Sequence, residues 1–220
     1  MAQRAKKPVV RVPDVHLAGL RSATRAEFEG DSDHDGLEFA QLELEEFVGG
    51  SHRFVECRIE VGRFGHVRLR RARFNTCEFD ELEASTLDVA ESDWSDVVVR
   101  GGRFGALAAP GARLTRVAIR TVRANYVNLR GAEITDLELT DCRIEELDLG
   151  AAQIRRADLT GCDIDRLVLS EAVLKDVDLR GAELSTLEGV AALRGATISP
   201  FQLTRLAPAF AERLGILVAE

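Results

Sequence analysis

The sequence predicts an all-β solenoid closed at its C-terminal end by a short α-helical cap, and three observations predict it. From Leu37 to Leu187 an apolar residue recurs at every fifth position, through Phe39, Leu44, Phe54, Ile59 and onward to Leu184, with Gly49 the one exception. Chance does not write such a column into a chain that is 45% hydrophobic. A second column of small or apolar residues lies two positions earlier in each unit, as at Ala72, Cys77, Val97, Ala112, Ala132 and Ala182. A spacing of two is the strand repeat, but the next inward residue comes three later, so alternation fails once per unit and the chain must turn a corner. Helix is excluded, because residues five apart diverge around a helix axis. Short segments joined by regular corners stack as coils through parallel strand pairing.

The units read Val-Asn-Leu-Arg-Gly at 127–131, Ala-Asp-Leu-Thr-Gly at 157–161 and Val-Asp-Leu-Arg-Gly at 177–181. In this the chain resembles the pentapeptide-repeat family, whose consensus unit is Ala-(Asp/Asn)-Leu-X-X. The resemblance implies a right-handed quadrilateral β-helix with four units per coil. Residues twenty apart are then stacked at about 4.8 Å, and seven to eight coils make a rod of roughly 36 Å.

Taken in order, residues 1–36 lack the repeat and form a lead-in. Met1 to Lys7 is basic, Pro8 and Pro13 punctuate a Val-rich segment, and a short helix is predicted around Ser22 to Phe28. Asp31, Asp33, Asp35 and Gly36 imitate the start of a calcium-binding loop, but the bidentate Glu due six residues later is Leu42, so the segment reads as a solvated acidic lead-in. The repeat domain occupies 37–198. Within it Phe54, Phe74 and Trp94 fall on one face of consecutive coils and predict an aromatic ladder. Cys57 and Cys77, and Cys142 and Cys162, lie twenty residues apart in the small column, where Cys serves as a compact apolar filler. Residues 199–220 form the cap and a dimerisation segment. Ser199 and Pro200 are a helix start, Phe201, Leu206, Phe210 and Leu214 recur at helical spacing, and Ile216 follows Gly215. Pro208 is expected to kink or divide that helix. Just before it, Leu193 to Ile198 echoes Leu179 to Leu184 one residue out of phase.

No catalytic constellation is legible. His16, His34, His52 and His66 are isolated in sequence, with His34 outside the repeat and His52 at an inward position of an imperfect early coil. A convex rod offers no cleft in which to tune carboxylates. The chain therefore reads as a non-enzyme with no cofactor and no metal. It has neither a membrane-spanning run nor a secretory signal, which makes the cytoplasm the expected compartment.

Charge is the remaining signal. A net charge of −8 argues against direct nucleic-acid binding. The acids concentrate on two adjacent faces, those beginning at Glu38 and at Glu43. They are also banded along the axis: Glu78, Asp80, Glu81, Glu83, Asp88, Glu91, Asp93 and Asp96 follow one another with no base between them. These eight are the expected partner-binding residues, although neutralisation by the basic coils on either side accounts for the same banding. Arg103, Arg123 and Arg143 stack like charges, which is unfavourable unless acids flank them or an anionic partner binds. The first functional reading is a scaffold for an unidentified protein partner, working through its charged faces. The second follows from the resemblance to family members that are DNA mimics: acidic, C-terminally dimerised rods that bind DNA gyrase and confer fluoroquinolone resistance. B-DNA carries a charge every 1.7 Å or so, and a mimic of this length needs on the order of twenty negative charges.

Overall fold

The computed structural model describes residues 7–218, and the basic run before Lys7 lies outside them. It is a parallel β-solenoid of about 9 turns followed by one C-terminal helix. The strands form a 12-stranded and an 8-stranded sheet. Each central coil gives an eight-residue strand to the larger sheet and a six-residue strand to the smaller, as in Arg73–Asp80 followed by Glu83–Asp88. Partners are twenty residues apart throughout the middle of the rod: Trp94 pairs with Phe74 and Leu114, and Phe104 with Ala84 and Ala124.

The corners explain the five-residue period. From Arg71 to Asp176 three of the four corners in every coil hold a residue with positive φ, for example Arg71, Thr76 and Glu81. The fourth corner, at His66, Thr86, Ala106, Tyr126, Glu146 and Arg166, has none. A left-handed residue costs roughly 1–2 kcal/mol unless it is glycine, so burial of the two inward columns must offset it coil after coil. The consensus Asp or Asn has a local task as well. The side chains of Asp88, Asn128, Asp148 and Asp178 each accept the backbone N–H two residues on, at 2.7–3.0 Å, and so fasten the turn that follows.

The core is a single stack of buried side chains. Phe54 and Phe74 are stacked at 5.2 Å and Phe74 meets Trp94 at 4.8 Å, so the aromatic ladder forms where the sequence places it. The indole N–H of Trp94 donates to Ser92 Oγ, which itself donates to the Val89 carbonyl, so the polar end of the ladder is satisfied. Gly49, the gap in the apolar column, has a cause: a Cβ there would lie 2.4 Å from the His52 ring, which fills the space instead. All four cysteines are buried and free. Burial pushes the Cys77 thiol up to about 12, as suits an apolar filler.

Both ends are plugged. At the N-terminal end Thr24 and Glu27 form a capping box for the helix Arg25–Gly30, which drives Phe28 into the open coil. Parallel pairing reaches into the 1–36 segment, because Asp33–Asp35 lies on Arg53–Val55 and Arg21–Ser22 on Leu37–Glu38. The Asp31 to Asp35 run is therefore no metal loop. Its alternation is a strand, with Asp33 turned out to Arg53 at 2.7 Å and His34 turned into the core. His34 extends the ladder, stacked on Phe54 at 4.6 Å, and is not outside the repeat.

At the C-terminal end Ala196–Thr197 pairs with Val177 and Asp178 in a register of nineteen, which is the predicted one-residue slip. The helix Pro200–Leu214 then crosses the last coil. Pro208 neither divides nor ends it. That residue is exposed, so the carbonyl it leaves without a donor faces water. Among the described residues no helix is long and apolar enough to cross a membrane.

One further pattern runs down a corner. Asp96, Arg116, Asp136, Arg156 and Asp176 occupy left-handed positions twenty apart and alternate in charge. Arg116 grips Asp96 with both forks, and Arg156 grips Asp136 at 2.6 and 2.7 Å.

Candidate interaction surfaces

The eight acids predicted as a partner site are not gathered on one surface. They span almost one full coil and so point to every side of the rod. Most are neutralised by arginines from adjacent coils. Glu78 is buried between Arg58 at 2.7 Å and Arg100 at 3.0 Å. Burial pushes its carboxyl up, and the two guanidiniums more than offset this and hold it below the usual carboxylate range. Asp80 meets Arg100 at 3.4 Å, Glu91 meets Arg70 at 3.2 Å, Asp93 meets Arg113 at 3.0 Å, and Asp96 is held by Arg116. Asp88 is engaged in its turn. Glu81 lies over Gly101, and Glu83 sits in register between Arg63 and Arg103. The girdle is mostly an internal lattice of charge pairs.

The arginine stripe behaves differently. Arg103 pairs in register with Arg123, and Arg123 with Arg143. Arg143 reaches Asp163 at 3.9 Å, but among the described residues neither Arg103 nor Arg123 has an ion-pair partner. Beside them the outward column is made of Gly65, Ser85 and Gly105, which leaves a shallow depression of 520 Å³ lined also by Glu45, Glu83 and Asn125. Gly105 is there by necessity, since a Cβ would sit 2.5 Å from the Ser85 carbonyl oxygen of the next coil. Further along the same side, Asp141, Glu145, Asp165 and Glu183 are exposed and without ion-pair partners among the described residues.

The C-terminal helix divides the residues predicted for cap and dimer. Leu206 and Phe210 are half-buried, whereas Phe201, Leu214 and Ile216 are exposed, as are Leu217 and Val218. Gln202 fastens the helix to the last coil: its amide donates to the carbonyls of Leu179 and Ala182 at 2.6 and 2.8 Å. Sequence reasoning missed Gln202, although its place three residues after Ser199, a capping-box spacing, was a usable signal. It also missed the course of residues 7–20, which lie along the outside of the larger sheet, with Arg11 N–H on Asp136 at 3.0 Å and Lys7 on Asp158 at 2.7 Å.

Residues 152–186 match the family model for pentapeptide repeats, in 8 copies. No curated protein matches the chain significantly. Among solved structures, the chain is similar to a trypsin-treated variant of QnrB1, a plasmid-mediated fluoroquinolone resistance protein, at 17% identity and TM-score 0.38, covering 83% of this chain and 100% of that one. It is also similar to HetL, a pentapeptide repeat protein involved in heterocyst differentiation regulation from the cyanobacterium Nostoc sp. strain PCC 7120, at 16% identity and TM-score 0.32, covering 79% and 94%. Full-length QnrB1 aligns at 16% identity and TM-score 0.27, covering 81% and 100%.

Proposed function

We propose that this chain, a pentapeptide-repeat protein, is a non-catalytic cytoplasmic scaffold that docks an acidic segment of a protein partner along Arg103 and Arg123. The observation that carries this is that those two residues combine an arginine-on-arginine register with the absence of an ion pair among the described residues, whereas Arg68, also without an ion pair, has Asp88 in register. Arg58, Arg100, Arg113, Arg116 and Arg156 all face carboxylates within 3.2 Å. Arg103 and Arg123 are instead set over one another, with Glu83 in register on the other side of Arg103 but no carboxylate within ion-pair distance of either among the described residues. Two like charges about 4.8 Å apart repel even when solvated. A bound carboxylate row removes that repulsion, so the stripe is worth more occupied than empty. In the same reading Phe201, Leu214 and Ile216 form a homodimer contact at the end of the rod.

The test uses a poly-glutamate peptide as probe and calorimetry as readout. The full chain should bind it at low ionic strength and lose up to about five-fold in affinity for each charge contact screened or removed. Arg103→Gln with Arg123→Gln should abolish binding while raising the melting temperature at low salt, because the neutral pair no longer repels. Unchanged binding by the double variant would sink the proposal.

A second reading, a DNA mimic that binds DNA gyrase, is favoured by the unpaired acids Asp141, Glu145, Asp165 and Glu183. The internal pairing of the girdle from Glu78 to Asp96 weighs against it. A supercoiling assay with gyrase, with and without a fluoroquinolone, separates the two: a mimic inhibits or protects the enzyme at micromolar protein, and a scaffold for acidic segments does neither.

A further inference from the structure

Residues 7–20 cross several coils without joining either sheet. Among the described residues no backbone ladder ties them to the rod, and the first such bond comes at Arg21, whose N–H donates to the Gly36 carbonyl. Their exposure instead alternates. Pro8, Val10, Pro13, Val15, Leu17 and Leu20 are half-buried, while Val9 and Val12 are 75% and 48% exposed. An extended chain with one side down has this signature.

The surface beneath has an apolar stretch. The contacts at Gly36 and Glu38, at Asp136 and at Asp158 bracket a path along the outward column that contains Val98 and Ala118. Both are buried, at 2% and 0%, although they point away from the core. In the equivalent outward column of the smaller sheet Ala108 is half-buried and Val168 is 8% exposed, so neither is as completely covered as Val98 and Ala118. The path also has two polar fixtures. Asp136 is 3% exposed and accepts the Arg11 N–H at 3.0 Å on the oxygen that Arg156 Nε also reaches. Asp158 takes the Lys7 ammonium. An apolar floor, an acceptor for a backbone N–H and a carboxylate for a cation make up a site for an extended basic peptide.

We propose that the strip from Val98 through Ala118 to Asp136 and Asp158 is a docking groove for an extended basic peptide with apolar residues at alternate positions, and that residues 7–20 are its tethered occupant. Gly19 is the hinge: it has a φ of +69°, nothing crowds it, and it stands between the occupant and the first paired strand. So few ties give the arm a low opening free energy compared with the coils. The tether keeps it seated through a local concentration on the order of millimolar, so a partner of the same pattern competes only when it binds tightly or when the arm is drawn away. The groove does not share residues with the Arg103–Arg123 stripe and stands or falls separately.

The experiment uses the full chain with Val10→Asp, Val15→Asp and Leu17→Asp in its arm. A fluorescently labelled synthetic peptide of natural sequence from Lys7 to Leu20 is added, anisotropy reports binding, and amide exchange at Arg11 of the chain reports whether its own arm has left. The arm-substituted chain should bind the peptide saturably and at least about ten-fold more tightly than the unmodified chain, as release of a tethered competitor requires. Adding Ala118→Arg should remove that binding. The proposal is overturned if the arm-substituted chain exchanges freely at Arg11 yet binds no peptide, if its arm stays protected despite aspartates at three half-buried positions, if Ala118→Arg changes nothing, or if a scrambled peptide binds equally well.

Discussion

His34 occupies a stacked aromatic position with a side chain that can take up a proton. Among the described residues neither ring nitrogen has a hydrogen-bond partner, and Phe28, Phe39 and Phe54 surround it, with His52 at 5.9 Å. Burial, and after it His52, hold the imidazole below its ordinary value of 6.5, while Asp31, Asp33 and Glu27 act weakly the other way. The unfolded chain therefore binds the proton more readily than the folded one. Stability from this residue is complete above pH 6.5 and is lost as the pH falls from there through the lowered folded value, at no more than about 1.4 kcal/mol per pH unit. Urea unfolding at pH 7.5 and pH 5.0 should show the loss in the natural chain and a smaller one in His34→Phe; parallel losses would mean that other groups carry it. Val61 tests the corners in the same way. It is β-branched, 42% exposed and holds a φ of 53°, so Val61→Asn should raise stability by about 1 kcal/mol, seen as a higher melting temperature. The sequence announced neither residue. The repeat marks where inward side chains lie, but a histidine on the far side of an irregular first coil carries no such mark, and the strain at a corner depends on backbone angles.

The C-terminal helix is held to the last coil through Gln202, and Gln202→Leu should leave the carbonyls of Leu179 and Ala182 without donors. The expected cost is about 2 kcal/mol, read as a roughly thirty-fold faster amide exchange across Pro200–Leu214 with the coils unchanged. Equal protection in the variant would make the apolar contacts of Leu206 and Phe210 the whole attachment. This element shows where legibility ends. Its start at Ser199 and its end at Gly215 follow from local capping chemistry and were readable. The unbroken course through Pro208 was not, because a proline's effect depends on whether water can reach the carbonyl it abandons. The arm of residues 7–20 was hidden for a related reason. Its alternating Pro, Val and Leu pattern is short, and its meaning lies in Val98 and Ala118, which a reader of the repeat sees only as outward positions without charge.

At the scale of the whole molecule, the rod ends in exposed apolar side chains at Phe201, Leu214 and Ile216. Sedimentation of the full chain is expected to give the mass of two chains, and Leu214→Glu with Ile216→Glu the mass of one with an unaltered circular dichroism spectrum; a single-chain mass in both would leave the helix as an end plug alone. The body of the rod was legible because every coil repeats the same demand, two inward residues and a corner. The charged surfaces were legible as composition and not as partnership. The girdle from Glu78 to Asp96 and the stripe at Arg103 and Arg123 look equally charged in sequence, and only the distances between coils show most of the first in ion pairs and neither arginine of the second in one, among the described residues.

Sameness from coil to coil also carries a hazard. Because one inward layer accepts almost any other, a chain that skipped a turn while winding and left twenty residues dangling would find its hydrophobic interior nearly as content as before. The corner that runs Asp96, Arg116, Asp136, Arg156, Asp176 does not forgive that error, since the skip sets aspartate on aspartate or arginine on arginine. Arg73, Asp93, Arg113 and Glu133 raise the same objection on a neighbouring row. Two-colour edging of this kind works as a parity check on threading, legislating against a wrong count that oil-like packing alone cannot detect.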